Sequence, residues 1–213
     1  MNTYLFDFDG TLVDSMPTYG ALMLRILDEN NMKYGDDIIK IITPLGFIGT
    51  AEYFIKMGLN KSREELIAKM NKYAIEEYTY NIPAKPNVIE TLKKLKASGA
   101  SLNVLTASPH STLDPCLKRL GIYDIFDNVW SCDDFATTKA DPNIYIMAAE
   151  RLGEDVGNIL FVDDNLGADK TAKLAGMKVS GIFDESSRDY IDEIKEAADF
   201  YVYDFHNILD ISF

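Results

Sequence analysis

The sequence predicts an α/β protein: a mainly parallel sheet with helices on both faces and an all-helical insertion behind the first strand. Three observations carry this. Short apolar runs break at polar turns, helix-like stretches between them close on glycine, and one long interval interrupts that alternation.

The first run, Thr3 to Phe8, is rich in aromatic and apolar residues and breaks at Asp9-Gly10, which reads as a buried strand ending in a turn. Runs of the same kind are Ser101 to Thr106, Asn128 to Ser131, Asn158 to Asp163 and Lys178 to Ile182, with Phe200 to Tyr203 a further candidate. Between them lie Val88 to Ser98 before Gly99, Ser111 to Leu120 before Gly121, Pro142 to Leu152 before Gly153, and Asp169 to Ala175 before Gly176. Glycine just past the last helical residue takes the left-handed conformation that ends a helix at little steric cost. Strand and helix in alternation predict parallel strands joined by crossovers, so the expected core is a Rossmann-like three-layer sandwich. In such sheets ligands sit beyond the carboxyl ends of the strands.

Residues 15–83 break the pattern, with helical periodicity over Tyr19 to Asn30 and Ser62 to Tyr78 and no convincing strand. The expected organisation is therefore a core of residues 1–14 and 84–213 and a helical insertion over residues 15–83, with Pro83-Ala84-Lys85-Pro86 marking the return. Tyr19, Phe47, Tyr53 and Phe54 are expected to supply much of the insertion's apolar core.

A formal net charge of −13, with no dense cluster of Lys and Arg, sets the long-range field against nucleic acid and anionic lipid. No apolar run approaches the length of a membrane span, and no targeting segment is recognisable after Met1, so a cytoplasmic protein is expected. Cys116 and Cys132 are the only cysteines and His110 and His206 the only histidines, too few for a zinc site of that chemistry. Any metal is expected to be held by oxygen.

The candidate chemistry lies at the strand ends. Leu5-Phe6-Asp7-Phe8-Asp9-Gly10-Thr11-Leu12 sets two carboxylates two residues apart where a strand turns, a pair able to bind a hard cation and divide two roles. A lone Asp-x-Asp is more often an acidic turn, so the other strand ends must discriminate. Leu105-Thr106-Ala107-Ser108 offers a hydroxyl and backbone N–H groups suited to phosphoryl oxygens, although such residues also cap helices. Lys139, in Thr138-Lys139-Ala140-Asp141-Pro142, precedes a helix and reads singly as a surface lysine. Leu160-Phe161-Val162-Asp163-Asp164-Asn165 ends an apolar strand in two adjacent carboxylates, which repel each other unless a cation or donor answers them.

In this order the four elements resemble the haloacid dehalogenase superfamily, over essentially the whole core: Asp7-Phe8-Asp9-Gly10-Thr11-Leu12-Val13-Asp14-Ser15, Leu105-Thr106, Lys139 to Tyr145, and Val162 to Met177. The insertion is similar in length and pattern to the helical cap of the phosphoglycolate phosphatase and β-phosphoglucomutase subgroup. The resemblance implies a Mg²⁺-dependent phosphatase acting on a small phosphorylated metabolite through an aspartyl-phosphate. Asp7 would be the nucleophile and Asp9 the acid and base. Thr106 and the Ala107 N–H would hold phosphoryl oxygens while Lys139 bridges nucleophile and phosphate. Mg²⁺ would be bound by Asp7, Asp9 through its carbonyl, and Asp164, with Asp163 a second ligand or an outer partner. Gly46 and Phe47, in Thr43 to Gly49, resemble a loop that closes over substrate, and Gly46, Phe47 and Gly49 equally suit a plain helix connection. The same resemblance leaves a phosphosugar mutase and a catalytically silent binding protein as alternatives, and the expected state is a monomer or weak homodimer. Lys139-Ala140 stands where relatives usually read Lys-Pro, and Lys85-Pro86-Asn87 where they usually read Pro-Gly.

Overall fold

The computed structural model describes residues 2–213. By its internal contacts the chain forms two compact units, one running to Asp14 and resuming at Pro83, the other Ser15–Ile82.

In the first unit, six strands among the described residues form one parallel sheet: β1 (Thr3–Phe6), β2 (Ser101–Thr106), β3 (Asn128–Ser131), β4 (Ile159–Asp163), β5 (Lys178–Ile182) and β6 (Phe200–Val202). Their order is β3-β2-β1-β4-β5-β6. The helices α5 (Val88–Ala97), α6 (His110–Arg119), α7 (Asn143–Leu152), α8 (Leu166–Ala175) and α9 (Ile191–Ala197) provide the crossovers and cover both faces. Alternation along β1 shows why both faces need cover. Leu5 packs among Phe161, Ile144, Tyr145 and Ala172, while Tyr4 and Phe6 point the other way, where their rings meet Phe213 and Phe205.

From β1 the chain first builds outward through β2 and β3, then returns to lay β4 on the opposite side of β1. That reversal opens a crevice at the carboxyl end of β1. The register sets Phe6 beside both Val104 and Val162, so the residues that follow these strands emerge together.

The second unit consists of α1 (Met16–Glu29), α2 (Ile38–Ile42), α3 (Gly46–Lys56) and α4 (Arg63–Tyr80), with a 3₁₀ turn at Thr43–Leu45. Its core is drawn from the apolar stripes of these helices, including Met23, Ile26, Leu27, Phe54, Leu66 and Met70. Tyr73 and Phe54 are buried there, whereas Tyr19 stacks on Phe47 with ring centroids 5.2 Å apart.

Of the two readings open for residues 43–49, the helix connection is the one found, a 3₁₀ turn running into α3, because the apolar period continues through the buried Thr50, Ala51 and Phe54. Gly46 takes φ +61° at that junction, which lets the chain turn between two helical segments. One helix start needs correction. Helix α8 begins at Leu166, not Asp169, because the Asn165 side chain accepts from the amides of Gly167 and Ala168 (2.9 and 3.1 Å) and starts the helix a turn earlier.

Candidate active site

Two strand ends and the segment before α7 converge on one buried cluster. Asp7 follows β1, and its amide donates to the Val162 carbonyl (2.9 Å), so its backbone continues the pairing with β4. Asp163 ends β4 and Asp164 follows it. One carboxylate oxygen from each of Asp7, Asp163 and Asp164 lies within 4.8 Å of the others, and all three residues are buried. Lys139 enters from the segment before α7. Its Nζ donates to Asp7 Oδ1 and, at 2.8 Å, to Asp163 Oδ2.

One ammonium thus faces three carboxylates out of water. Burial, then Asp163, raises the Asp7 pKa to about 7, against the opposing pull of Lys139. Burial, then Asp163 and Asp7, lifts Asp164 well above the usual carboxylate range. Burial alone would lower Lys139, but Asp163 and Asp7 outweigh it and hold the ammonium firmly protonated. The cluster carries more negative charge than its own cation balances, and its donors are all oxygen. That is the donor set a hard divalent cation such as Mg²⁺ takes.

The two acids of β4 are held differently. Asp163 has both oxygens engaged, Oδ2 by Lys139 and Oδ1 by the Asn165 amide (2.8 Å). Asp164 accepts a longer bond from Thr11 Oγ1 (3.3 Å) and rests against Gly10. At Gly10 the backbone has φ +75°, and a Cβ there would stand 2.6 Å from Asp164 Oδ1. Only glycine admits both the turn and the close approach.

Asp9 lies on the turn beyond Asp7, half-buried, and its Oδ2 accepts from Ser108 Oγ at 2.5 Å. Thr106 is buried at the end of β2, and its Oγ1 accepts from the Ser108 amide (3.1 Å). Ala107 is exposed between them. Lys139 therefore bonds Asp7 and Asp163, Asp164 stands beside them in the same cluster, and Asp9 joins Thr106 through Ser108. Gly46 and Phe47 belong to the helical unit, at the start of α3.

Four residues outside the sequence-based set belong to this neighbourhood. Ser108 was visible in the Thr106-Ala107-Ser108 string but not singled out. Lys85 places Nζ 2.6 Å from the Gly10 carbonyl, 2.7 Å from that of Phe183 and 2.9 Å from Asp184 Oδ2. Asp184 carried a usable signal, an acid just past the end of β5. Asp169 is fully buried in the first turn of α8 with both oxygens unpartnered, and burial followed by Asp163 and Asp164 raises its pKa. Nothing in its sequence context distinguishes it from a solvated helix-start acid.

The profile of the haloacid dehalogenase-like hydrolases matches residues 1–176. Among curated proteins, the chain is 33% identical over 179 residues to the pyrophosphatase PpaX of Bacillus velezensis, covering 84% of this chain and 81% of that one. It is 30% identical over 205 residues to a phosphoglycolate phosphatase of Salmonella choleraesuis, covering 83% and 79%. Among solved structures, a candidate β-phosphoglucomutase from Thermotoga maritima superposes with a TM-score of 0.85 at 22% identity, over 99% of this chain and 97% of that one. At that identity the likeness concerns the fold. Among the described residues no helix is long and apolar enough to cross a membrane.

Proposed function

The chain belongs to the haloacid dehalogenase-like hydrolases and is a phosphatase, and from that premise we propose that it hydrolyses a small phosphate monoester with Mg²⁺ through a phosphorylated Asp7. The observation that carries this reading is the Lys139 ammonium bonded to both Asp7 and Asp163 in a buried, oxygen-only cluster with excess negative charge.

In the proposed reaction a carboxylate oxygen of Asp7 attacks phosphorus, and the bond from phosphorus to the leaving oxygen breaks. Asp9 gives that oxygen its proton. Water then attacks phosphorus, Asp9 takes the proton from it, and the bond to Asp7 breaks to free phosphate. Lys139 fixes the Asp7 carboxylate through Oδ1 and offers positive charge to the phosphoryl oxygens. Thr106 and the Ala107 N–H bind those oxygens. Ser108 orients the Asp9 carboxylate between the two steps. Mg²⁺ would be held by Asp7, Asp164 and the Asp9 carbonyl, and when bound it would neutralise phosphoryl charge that the carboxylates otherwise repel. Asp163, with both oxygens already engaged, is assigned to orienting Lys139. The helical unit is assigned as the cap, with Gly46 and Phe47 touching substrate.

The names of the relatives place pyrophosphate and phosphoglycolate at the head of a substrate panel, followed by sugar phosphates and nucleotides. The test begins with a generic aryl phosphate. Turnover should require Mg²⁺, stop with chelator, and be lost in Asp7→Asn. Activity that survives this substitution removes Asp7 as nucleophile.

A further inference from the structure

Lys85 is a largely buried cation with three acceptors, and the reaction as described does not use it. Its side chain is 14% exposed and that of Asp184 only 6%. An ammonium has three N–H donors, and here three acceptors meet it: the carbonyls of Gly10 and Phe183 and the carboxylate of Asp184. Asp184 is itself fixed, since its other oxygen accepts from the amide (2.9 Å) and hydroxyl (2.6 Å) of Ser186.

The lysine is anchored at both ends to one turn. Its own amide donates to the Leu12 carbonyl (3.0 Å), two residues past the Gly10 carbonyl that its ammonium holds. That turn closes through the amides of Leu12 and Val13 donating to Phe8 (2.9 and 3.0 Å), and it carries Asp9. Gly10 in turn packs directly against the Asp164 carboxylate. Movement at Gly10 therefore displaces both the acid on one side and the β4 acid on the other. A planar guanidinium does not match three converging acceptors, and a neutral side chain withdraws a donor from Asp184 Oδ2 and from two carbonyls at once.

We propose that Lys85, braced by Asp184, is a positioning residue that locks the Asp9–Gly10 turn to the end of β5 and so sets the placement of Asp9 and Asp164. The consequence for turnover rests on the phosphatase reading; the consequence for the turn does not.

The experiment compares wild type with Lys85→Met by amide hydrogen exchange and by steady-state kinetics on an aryl phosphate. Exchange at Gly10, Leu12 and Val13 should quicken at least about tenfold while α7 stays protected. Turnover should fall at least about tenfold in kcat with KM within about threefold, the pattern of a group that acts on reacting residues rather than on substrate. Unchanged exchange in the turn overturns the inference, as does an equal rise throughout the core, which would mean general loosening. If Lys85→Met does not fold, Asp184→Asn decides. That variant should speed exchange in the same turn by about threefold, and an unaltered turn overturns the inference. If wild type cleaves no phosphate ester, the phosphatase reading fails and the exchange result still judges Lys85.

Discussion

Burial lifts the Asp7 carboxyl from its ordinary value of 3.8 to about 7, with Asp163 adding to the rise and Lys139 opposing it. The native state then holds a proton that the unfolded chain has released between those values. The contribution of this group to stability is complete below pH 3.8 and is lost as pH rises through about 7, at most about 4 kcal/mol. A cation that binds the ionised cluster offsets that loss. In chelator, the melting temperature should fall between pH 5 and pH 8, and Mg²⁺ should raise it by about 5 °C more at pH 8 than at pH 5. Asp7→Asn should shrink both differences; an undiminished Mg²⁺ shift in that variant would place the cation elsewhere. His110 presents the opposite chemistry. Its ring lies 2.8 Å from both Asp114 and Asp134, and the bond to Asp114, with Asp134 adding, raises its pKa against the effect of burial. Its stabilising contribution is complete below the ordinary histidine value of 6.5 and fades as pH rises through the folded value. An NMR titration should place the His110 midpoint above 6.5, and Asp114→Asn should bring it down.

Helix ends place the functional residues more than helix interiors do. Asn165 starts α8 directly behind the Asp163-Asp164 pair, so the backbone that leaves the acids is fixed within one turn, and the Asn165 amide also holds Asp163. In the helical unit, Ser62 and Glu65 form a reciprocal cap on α4: Ser62 Oγ accepts from the Glu65 amide (3.2 Å) and Glu65 Oε2 accepts from the Ser62 amide (3.0 Å). Ser62→Ala should cost about 1 kcal/mol in a denaturant titration and leave kcat on an aryl phosphate unchanged. A loss of turnover without a loss of stability would show that this helix start does more than hold the unit together.

The insertion departs from and returns to the core at one short antiparallel contact. Val13 bridges Ala84, the Asp14 amide donates to the Pro83 carbonyl (3.0 Å), and the Lys85 amide donates to Leu12 (3.0 Å). Because these ends already lie together, a short Gly/Ser linker in place of residues 15–82 needs little closure entropy. Such a protein should keep the far-ultraviolet circular dichroism of an α/β fold and bind Mg²⁺ within about tenfold of the intact chain, since the acids of the site all come from the first unit. Activity on a chosen substrate should fall far more, the outcome expected of the cap role proposed above. Loss of Mg²⁺ binding would mean that the core cluster depends on the insertion.

The chain by itself determined the alternation of strand and helix, the place of the insertion, and the identity of Asp7, Asp9, Thr106, Lys139, Asp163 and Asp164 as candidates. These are legible because apolar period and turn chemistry are local, and because the acids stand immediately after apolar runs. Only the tertiary structure decided that Lys139 bonds Asp7 and Asp163 together, that both Asp163 oxygens are engaged while Asp164 accepts a longer bond from Thr11, and that Lys85, Ser108, Asp169 and Asp184 belong to the same neighbourhood. Each of those facts joins residues far apart in sequence through burial and charge. Strand order and register bring them together, and neither is written in the local pattern of any one segment.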